Sequence, residues 1–224
     1  MYINLAFILL AVISMNAQAE FYDSRAEKWE FFLAPQVTNS KSLQGENGTD
    51  AIINEASALG FGFGYNVNHH VELTMIFASS SSNYSSTRVI ENDPENSLIP
   101  NGPKTFTSSI YTSSINFGFT WNLLSTPFTP YITANLGSTY VDSGVPTGEI
   151  TTGCWYDYWY GYVCYPYAQT YTATEFNYGA GVGLRYDFNR KLYMKGGVSQ
   201  NYLDLNSSNT PVFTTYQFIF GFMF

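Results

Sequence analysis

The segment that decides the fold is 212–224, with the sequence VFTTYQFIFGFMF. Its even positions from 216 onward are all aromatic: Tyr216, Phe218, Phe220, Phe222 and Phe224. Successive side chains of a β-strand point to opposite faces, so all five rings lie on one face. Such a face would be a large apolar patch in water. The segment therefore predicts a strand whose aromatic face is covered by apolar surroundings.

The same period of two recurs along the chain, whereas no segment after residue 19 sustains a helical period. Between Thr172 and Phe188, nine alternate positions form a largely apolar face against glycine and polar residues. The alternation predicts eight strands, at 29–38, 56–66, 69–79, 106–122, 129–141, 171–187, 191–203 and 212–224.

The predicted connections alternate in length. Those at 66–68, 124–127 and 189–190 are short, whereas those at 39–55, 80–105, 142–170 and 204–211 are long and rich in Ser, Asn, Gly and Pro. Short turns at one end and long loops at the other are typical of outer-membrane barrels, whose turns are periplasmic. The sequence predicts an all-β fold, an eight-stranded antiparallel transmembrane β-barrel.

Composition excludes several other classes. The 224 residues are 18% aromatic and 12% charged, with a net charge of -8. A helical membrane protein needs runs of about 20 apolar residues, and a disordered chain is poor in aromatic residues. The acidic balance lacks the basic surface that nucleic acid binding requires, so no nucleic acid partner is expected.

The apolar face of each strand is expected to contact lipid. Outward candidates are Leu59, Phe61, Phe63, Tyr65, Val71, Leu73, Met75, Phe77, Tyr111, Ile115, Phe117, Phe119, Trp121, Ile132, Ala134, Leu136 and Tyr140. In the first strand, Glu30 and Gln36 favour an inward face and leave Trp29 outward. Trp29, Trp121, Tyr186 and Phe188 fall near the short turns, as an aromatic girdle at the membrane interface requires.

The N-terminal segment is typical of an export signal. Residues 5–13 are apolar but too short to span a bilayer, and Ala17-Gln18-Ala19 is a small-residue cleavage pattern. We expect a cleaved signal peptide at 1–19 and a barrel domain at 20–224. Cys154 and Cys164, the two cysteines of the chain, would then lie in an oxidising compartment and form a disulfide.

The chain resembles the family of small outer-membrane β-barrels that includes the OmpA transmembrane domain, OmpX and OmpW. The resemblance rests on 59–77 (LGFGFGYNVNHHVELTMIF), 130–137 (PYITANLG), 178–193 (YGAGVGLRYDFNRKLY) and the terminal aromatic alternation. It implies a bacterial outer-membrane location and recognition of the terminal Phe224 by the barrel-assembly machinery. The family is functionally mixed, so the resemblance implies location and fold better than activity.

Five charged residues lie on the predicted inward faces: Glu30, Glu72, Glu175, Arg185 and Lys195. One interpretation is a structural ion network, because an eight-stranded barrel is only wide enough for its own side chains and buried charges must be paired. The other is a gate in which Arg185 changes carboxylate partners and opens the lumen to small solutes.

No constellation in the sequence predicts catalysis, a cofactor or a metal site. His69 and His70 are adjacent and follow a short turn, whereas metal ligands on one strand face are two residues apart. Outer-membrane hydrolases with a catalytic triad need a histidine near the extracellular rim, and the predicted extracellular loops contain none. The protein is predicted not to be an enzyme.

The most unusual loop runs from Cys154 to Tyr167, with the sequence CWYDYWYGYVCYPY. Its candidate aromatic surface comprises Trp155, Tyr156, Tyr158, Trp159, Tyr160 and Tyr162. Either this disulfide ring packs on itself over the barrel mouth, or it presents a binding surface, since Tyr and Trp offer large contact area at low entropy cost.

The expected function is that of a non-enzymatic integral outer-membrane protein contributing to envelope integrity and surface interaction. Two alternatives remain: a narrow porin-like channel for small or hydrophobic solutes, as resemblance to OmpW implies, and an adhesin acting through the aromatic disulfide loop. Expected partners are outer-membrane lipids, lipopolysaccharide and the assembly machinery, with the protein itself a monomer.

Overall fold

The computed structural model of the protein describes residues 25–44, 50–90, 102–204 and 211–224. The predicted signal peptide at 1–19 lies outside these residues. The described strands are β1 (Trp29–Thr38), β2 (Lys41–Gln44), β3 (Asp50–Ile53), β4 (Ala56–Asn66), β5 (Val71–Ile90), β6 (Gly102–Asn122), β7 (Phe128–Asp157), β8 (Gly161–Asp187), β9 (Leu192–Asp204) and β10 (Val212–Met223). The described part of the chain contains no helix with the length and hydropathy to cross a membrane.

Eight of these strands form a closed antiparallel barrel, as predicted. The ring runs β1, β4, β5, β6, β7, β8, β9, β10 and back to β1, and the pairing of β5 with β6 joins the two ends of the sheet. At the seam, the Trp29 N–H donates to the Phe224 carbonyl at 3.0 Å, and the Phe224 N–H donates to the Trp29 carbonyl at 2.9 Å. Closure leaves the eight barrel strands without a free edge within the membrane.

The two faces of each strand separate as the alternation predicts. In β1, Trp29, Phe31 and Leu33 are exposed, whereas Glu30 and Phe32 are buried in the lumen. The same parity exposes Leu73 and Phe119 on neighbouring strands. The outer surface is therefore an apolar band suited to lipid.

Short connections at one end of the barrel are confirmed: residues 67–70, 123–127 and 188–191 link successive strands. At the other end, most described residues of the predicted long loops belong to strands instead. β5 and β6 pair up to Ile90 and Gly102, and β7 and β8 pair up to Asp157 and Gly161. These Ser-, Thr- and Tyr-rich segments keep extended backbone because their main-chain groups are paired in ladders.

A separate hairpin lies within the predicted loop at 39–55. Strand β2 pairs with β3, and β3 pairs with the upper part of β5, with Asp50 opposite Thr87 and Ile53 opposite Tyr84. The barrel mouth is therefore flanked by two ribbon extensions, one containing β2, β3, β5 and β6 and the other containing β7 and β8.

Candidate functional site

The lumen near the short turns is filled by a cluster of buried ion pairs, which we call the ion plug. It contains three cations and three carboxylates: Arg25, Arg185, Lys195, Glu30, Glu72 and Asp187. All six side chains are almost completely buried, with Lys195 at 3% exposure. The formal charges balance, which is the condition under which such a group of charges is tolerated away from water.

Arg185 is the centre of the ion plug. Its Nη2 donates to Glu30 Oε1 at 2.6 Å, its Nη1 to Glu72 Oε2 at 2.9 Å and its Nε to Asp187 Oδ1 at 2.7 Å. The guanidinium also lies 4.3 Å from the centre of the Tyr193 ring, a cation–π contact. Each nitrogen of the guanidinium fork thus has a carboxylate partner, and the fork joins three strands.

The other two cations complete the plug. Lys195 Nζ contacts Glu72 Oε1 directly and lies 3.8 Å from Glu30 Oε2. Below them, Arg25 Nη2 lies 3.3 Å from Asp187 Oδ2 and donates to the Thr126 carbonyl at 2.5 Å. Arg25 therefore covers the periplasmic end of the plug, just before β1 begins.

Aromatic rings pack above and beside these charges on glycines that leave room for them. A Cβ atom added to Gly197 would lie 2.5 Å from Tyr131 Oη, and one added to Gly62 would lie 2.6 Å from Phe32 Cζ. Both rings are buried. Lumen glycines thus accept rings that an eight-stranded barrel could not otherwise hold.

Four of the five predicted lumen charges meet in the ion plug: Glu30, Glu72, Arg185 and Lys195. The structure separates Glu175 from them, because it lies half-buried on the upper part of β8 opposite Thr139 and forms no ion pair with a described residue. Sequence reasoning missed Arg25 and Asp187. Asp187 shares the parity of Arg185 two residues earlier, which was a usable signal; Arg25 precedes the first strand and has no periodicity to reveal it.

Above the ion plug the lumen opens into a cavity of about 350 Å³. None of the described residues that line it is charged. Hydroxyl and amide side chains alternate there with Ala, Ile, Val and Gly. The lumen is therefore divided into a lower part filled by ion pairs and a hollow upper part whose described lining carries no charge.

The β7–β8 hairpin rises beyond the barrel and ends in the predicted disulfide between Cys154 and Cys164. Asp142 pairs with Thr172 and Asp157 with Gly161, eleven residues apart on β8, so the hairpin extends about 36 Å above its base at the usual strand rise. At that base Gly144 has a positive φ of 61°. The Gly144 N–H donates to Asp142 Oδ1 at 2.9 Å and, with the Thr170 hydroxyl, lowers the pKa of Asp142.

The aromatic residues at the hairpin tip face solvent. Their exposed fractions are 51% for Trp155, 74% for Tyr156, 83% for Tyr158, 83% for Trp159, 82% for Tyr160 and 74% for Tyr162. The tip turn is fixed by Asp157, whose Oδ1 accepts hydrogen bonds from the N–H groups of Trp159 and Tyr160 at 2.8 and 2.9 Å. We call the six exposed aromatic side chains the aromatic tip: Trp155, Tyr156, Tyr158, Trp159, Tyr160 and Tyr162.

The two histidines lie at the periplasmic end. His70 Nδ1 is 2.7 Å from the Asn122 carbonyl oxygen, and the His70 ring lies 6.3 Å from the Trp121 ring. No group of three potential metal-ligating side chains occurs within the described ranges.

A closed antiparallel barrel with an apolar outer band, buried ion pairs in its lumen and long ribbons at one end is an integral outer-membrane barrel. The chain matches the family described as "Outer membrane protein beta-barrel domain" over residues 5–224, and it belongs to that family. Membership places the protein in the bacterial outer membrane. No curated protein sequence matches the chain.

Three solved structures illustrate the similarity in fold. OprG from Pseudomonas aeruginosa is 11% identical with a TM-score of 0.52, covering 92% of this chain and 99% of that chain. The N-terminal β-barrel domain of Pseudomonas aeruginosa OprF is 14% identical with a TM-score of 0.42, covering 90% and 100%. The attachment invasion locus protein Ail of Yersinia pestis, in complex with the heparin analogue sucrose octasulfate, is 9% identical with a TM-score of 0.48, covering 89% and 99%. At these identities the likeness concerns the fold alone.

Proposed function

We propose that the protein is a non-enzymatic outer-membrane barrel that contributes to envelope integrity and presents the aromatic tip for contact with polysaccharide at the cell surface. The observation that carries this proposal is the exposure of the aromatic tip at the end of a paired, disulfide-closed ribbon. Side chains of this size are normally buried, so their display to solvent favours a binding role.

The chemistry of the tip supports a saccharide partner. The segment 154–167 contains Tyr and Trp but no Phe, whereas the lipid-facing wall is rich in Phe. Each Tyr or Trp ring combines an apolar face with a hydrogen-bonding group. The single charge of the ring, Asp157, is already engaged with the turn N–H groups. Apart from the Asp157 carboxylate, the tip is thus an uncharged surface that can stack on sugar rings and donate hydrogen bonds to their hydroxyls.

The disulfide supports the same role by restricting the tip before binding. Cys154 and Cys164 face each other across the ladder, and such a closed ring removes about 2 to 3 kcal/mol of chain entropy in the loop-closure account. A tip that is already ordered loses less freedom on binding.

The test is binding of the protein, in nanodiscs, to a panel of immobilised polysaccharides that includes purified lipopolysaccharide. Tyr158→Ala/Trp159→Ala/Tyr160→Ala should weaken binding by roughly tenfold or more, as expected for truncated aromatic anchors. Ile150→Ala/Tyr171→Ala, which removes two exposed side chains lower on the same hairpin, is the matched control. Equal binding by the two variants, or no saturable binding to any member of the panel, would contradict the proposal.

A narrow channel is the second candidate, favoured by the cavity above the ion plug. Conduction would require the plug to open, because Arg185 and its partners fill the lower lumen. In planar bilayers we expect the wild-type protein to be silent and Arg185→Ala to remain silent if the plug is structural. A rise in single-channel conductance in Arg185→Ala would instead support the gated channel.

Export and assembly complete the proposal. Cleavage after Ala19 would make Glu20 the first residue of the mature protein, which N-terminal sequencing of material from the outer membrane can check. The assembly machinery would recognise the terminal aromatic strand, and deletion of Phe224 should lower the amount of folded barrel in the membrane. We propose that the protein is a monomer, and analytical ultracentrifugation in detergent can measure its mass.

A further inference from the structure

The upper lumen is lined by a mixture of apolar and hydrogen-bonding side chains. The β4–β5 side presents Ala56, Ala58, Ile76 and Ala78 beside the hydroxyls of Thr74, Ser79, Ser80 and Ser82. The β7–β9 side presents the amides and hydroxyls that we call the polar wall, Asn135, Thr139, Asn177, Ser199 and Asn201, beside Val141, Tyr202 and Leu203. In the barrel ring β4 and β8 are four strands apart, so these two sides face each other across the lumen.

The polar wall is partly organised by its own hydrogen bonds. Asn135 Nδ2 donates to Asn201 Oδ1 at 3.2 Å, and Asn201 Nδ2 donates to the hydroxyls of Ser199 and Thr215, each at 3.2 Å. Asn177 Nδ2 donates to Thr139 Oγ1 at 2.6 Å. These bonds fix the orientation of the amides around the cavity.

Hydrogen-bonding capacity remains on this lining. Asn135 Oδ1 is buried and accepts no hydrogen bond from a described residue. The side-chain amides of Gln36, Asn116 and Gln217 also line the cavity and form no hydrogen bond with the described part of the chain. A ligand with several hydroxyl groups would satisfy donors and acceptors that the protein itself leaves available.

We propose that this cavity binds a small uncharged sugar, a monosaccharide or disaccharide, that enters from the extracellular side. A pyranose ring has an apolar C–H face for the Ala and Ile side chains of the β4–β5 side and hydroxyl groups for the polar wall. The volume of about 350 Å³ is at the lower end of ligand-binding pockets, which suits a ligand of this size. The ion plug closes the lumen beneath, so the site is a dead-end pocket distinct from the aromatic tip.

The absence of charge on the described lining favours a neutral ligand over an ionic one. An ion entering the cavity would lose part of its hydration without gaining an opposite charge. The charged groups of the ion plug already have partners within the plug. The site should therefore discriminate against both anionic and cationic sugars.

Calorimetric titration of the protein in nanodiscs tests this inference, with D-glucose and maltose as neutral probes and gluconate and glucosamine as charged ones. We expect saturable binding of at least one neutral sugar and about tenfold weaker binding of both charged ones. Failure of both neutral sugars to bind, or tighter binding of a charged one, would overturn the proposal.

Paired variants locate the site. Ala78→Phe places a ring in the cavity and should abolish binding, whereas Ala134→Phe places the same ring on the exposed lipid face of β7 and should leave binding unchanged. Asn135→Leu keeps the volume but removes the amide and should weaken binding, which tests the site even if Ala78→Phe does not fold. The aromatic-tip triple variant should bind as the wild type does. Equal binding by Ala78→Phe and Ala134→Phe, or loss of binding in the tip variant, would refute a lumen site.

Discussion

Replacing Arg185 by methionine tests whether the ion plug stabilises the barrel. The substitution keeps an unbranched side chain of similar reach but removes the charge. Glu30, Glu72 and Asp187 would then share the buried lower lumen with only Lys195 and Arg25.

The size of the effect follows from burial. Exposed ion pairs contribute at most about 1 kcal/mol, but these side chains have zero exposure and the three nitrogen–oxygen distances are 2.6, 2.9 and 2.7 Å. Removing one partner of such a buried pair costs about 3 to 5 kcal/mol, because the remaining charge is uncompensated. Arg185→Met should therefore lower the free energy of unfolding by about 3 to 5 kcal/mol, and shift the urea midpoint by about 1 to 2 M.

The assay is urea unfolding in lipid vesicles, followed by tryptophan fluorescence. Glu175→Gln is the matched control, since Glu175 is a lumen-facing carboxylate outside the plug; it should change the free energy of unfolding by less than about 0.5 kcal/mol. Glu30→Gln/Arg185→Met restores the charge balance and should recover much of the lost stability. A loss of under about 1 kcal/mol in Arg185→Met, or an equal loss in Glu175→Gln, would refute the reasoning.

Three further predictions concern other parts of the molecule. Gly197→Ala should destabilise the barrel by about 1 to 3 kcal/mol, because its Cβ would meet Tyr131 Oη at 2.5 Å, whereas Gly196→Ala, with nothing within 4 Å, should cost much less; equal urea midpoints would contradict this. Of the four tryptophans, Trp29 and Trp121 should be quenched by brominated lipid and Trp155 and Trp159 by aqueous iodide, measured in the two double Trp→Phe variants. Lipid quenching of the tip pair would mean that the hairpin lies on the membrane. Cys154→Ser/Cys164→Ser should weaken polysaccharide binding while leaving the urea midpoint of the barrel unchanged; a matching fall in the midpoint would show that the disulfide stabilises the barrel itself.

Much of the barrel could be predicted because lipid and lumen impose opposite chemistries on alternate residues. The strands predicted at 29–38 and 56–66 match β1 and β4, and Glu30 with Gln36 gave the orientation of β1. The ribbon extensions could not be predicted in this way, since no alternation of apolar and polar residues marks 80–90 or 142–157. Ser, Asn, Gly and Pro there resemble loop composition, although the paired backbone makes them strands.

The lumen shows a second limit of prediction from the sequence. Parity indicates which residues point inward but not their height in a tilted barrel. Glu175 and Arg185 share a face of β8, yet only Arg185 meets Glu30 and Glu72, which come from β1 and β5. The fit of Tyr131 over Gly197 depends on which glycine of one strand faces which ring of another. These relations arise from register and tilt, which a single sequence does not specify.

Because the ion plug is electrically balanced, it contributes no net charge to the electric field outside the protein. It contains three of the nine basic and three of the seventeen acidic residues, so the rest of the chain carries the entire net charge of -8. The exterior therefore repels polyanions over roughly one Debye length, about 8 Å at physiological salt. Encounters with phosphate-rich surfaces should speed up as ionic strength rises or when divalent cations screen both partners, whereas encounters with neutral polymers should be insensitive to salt.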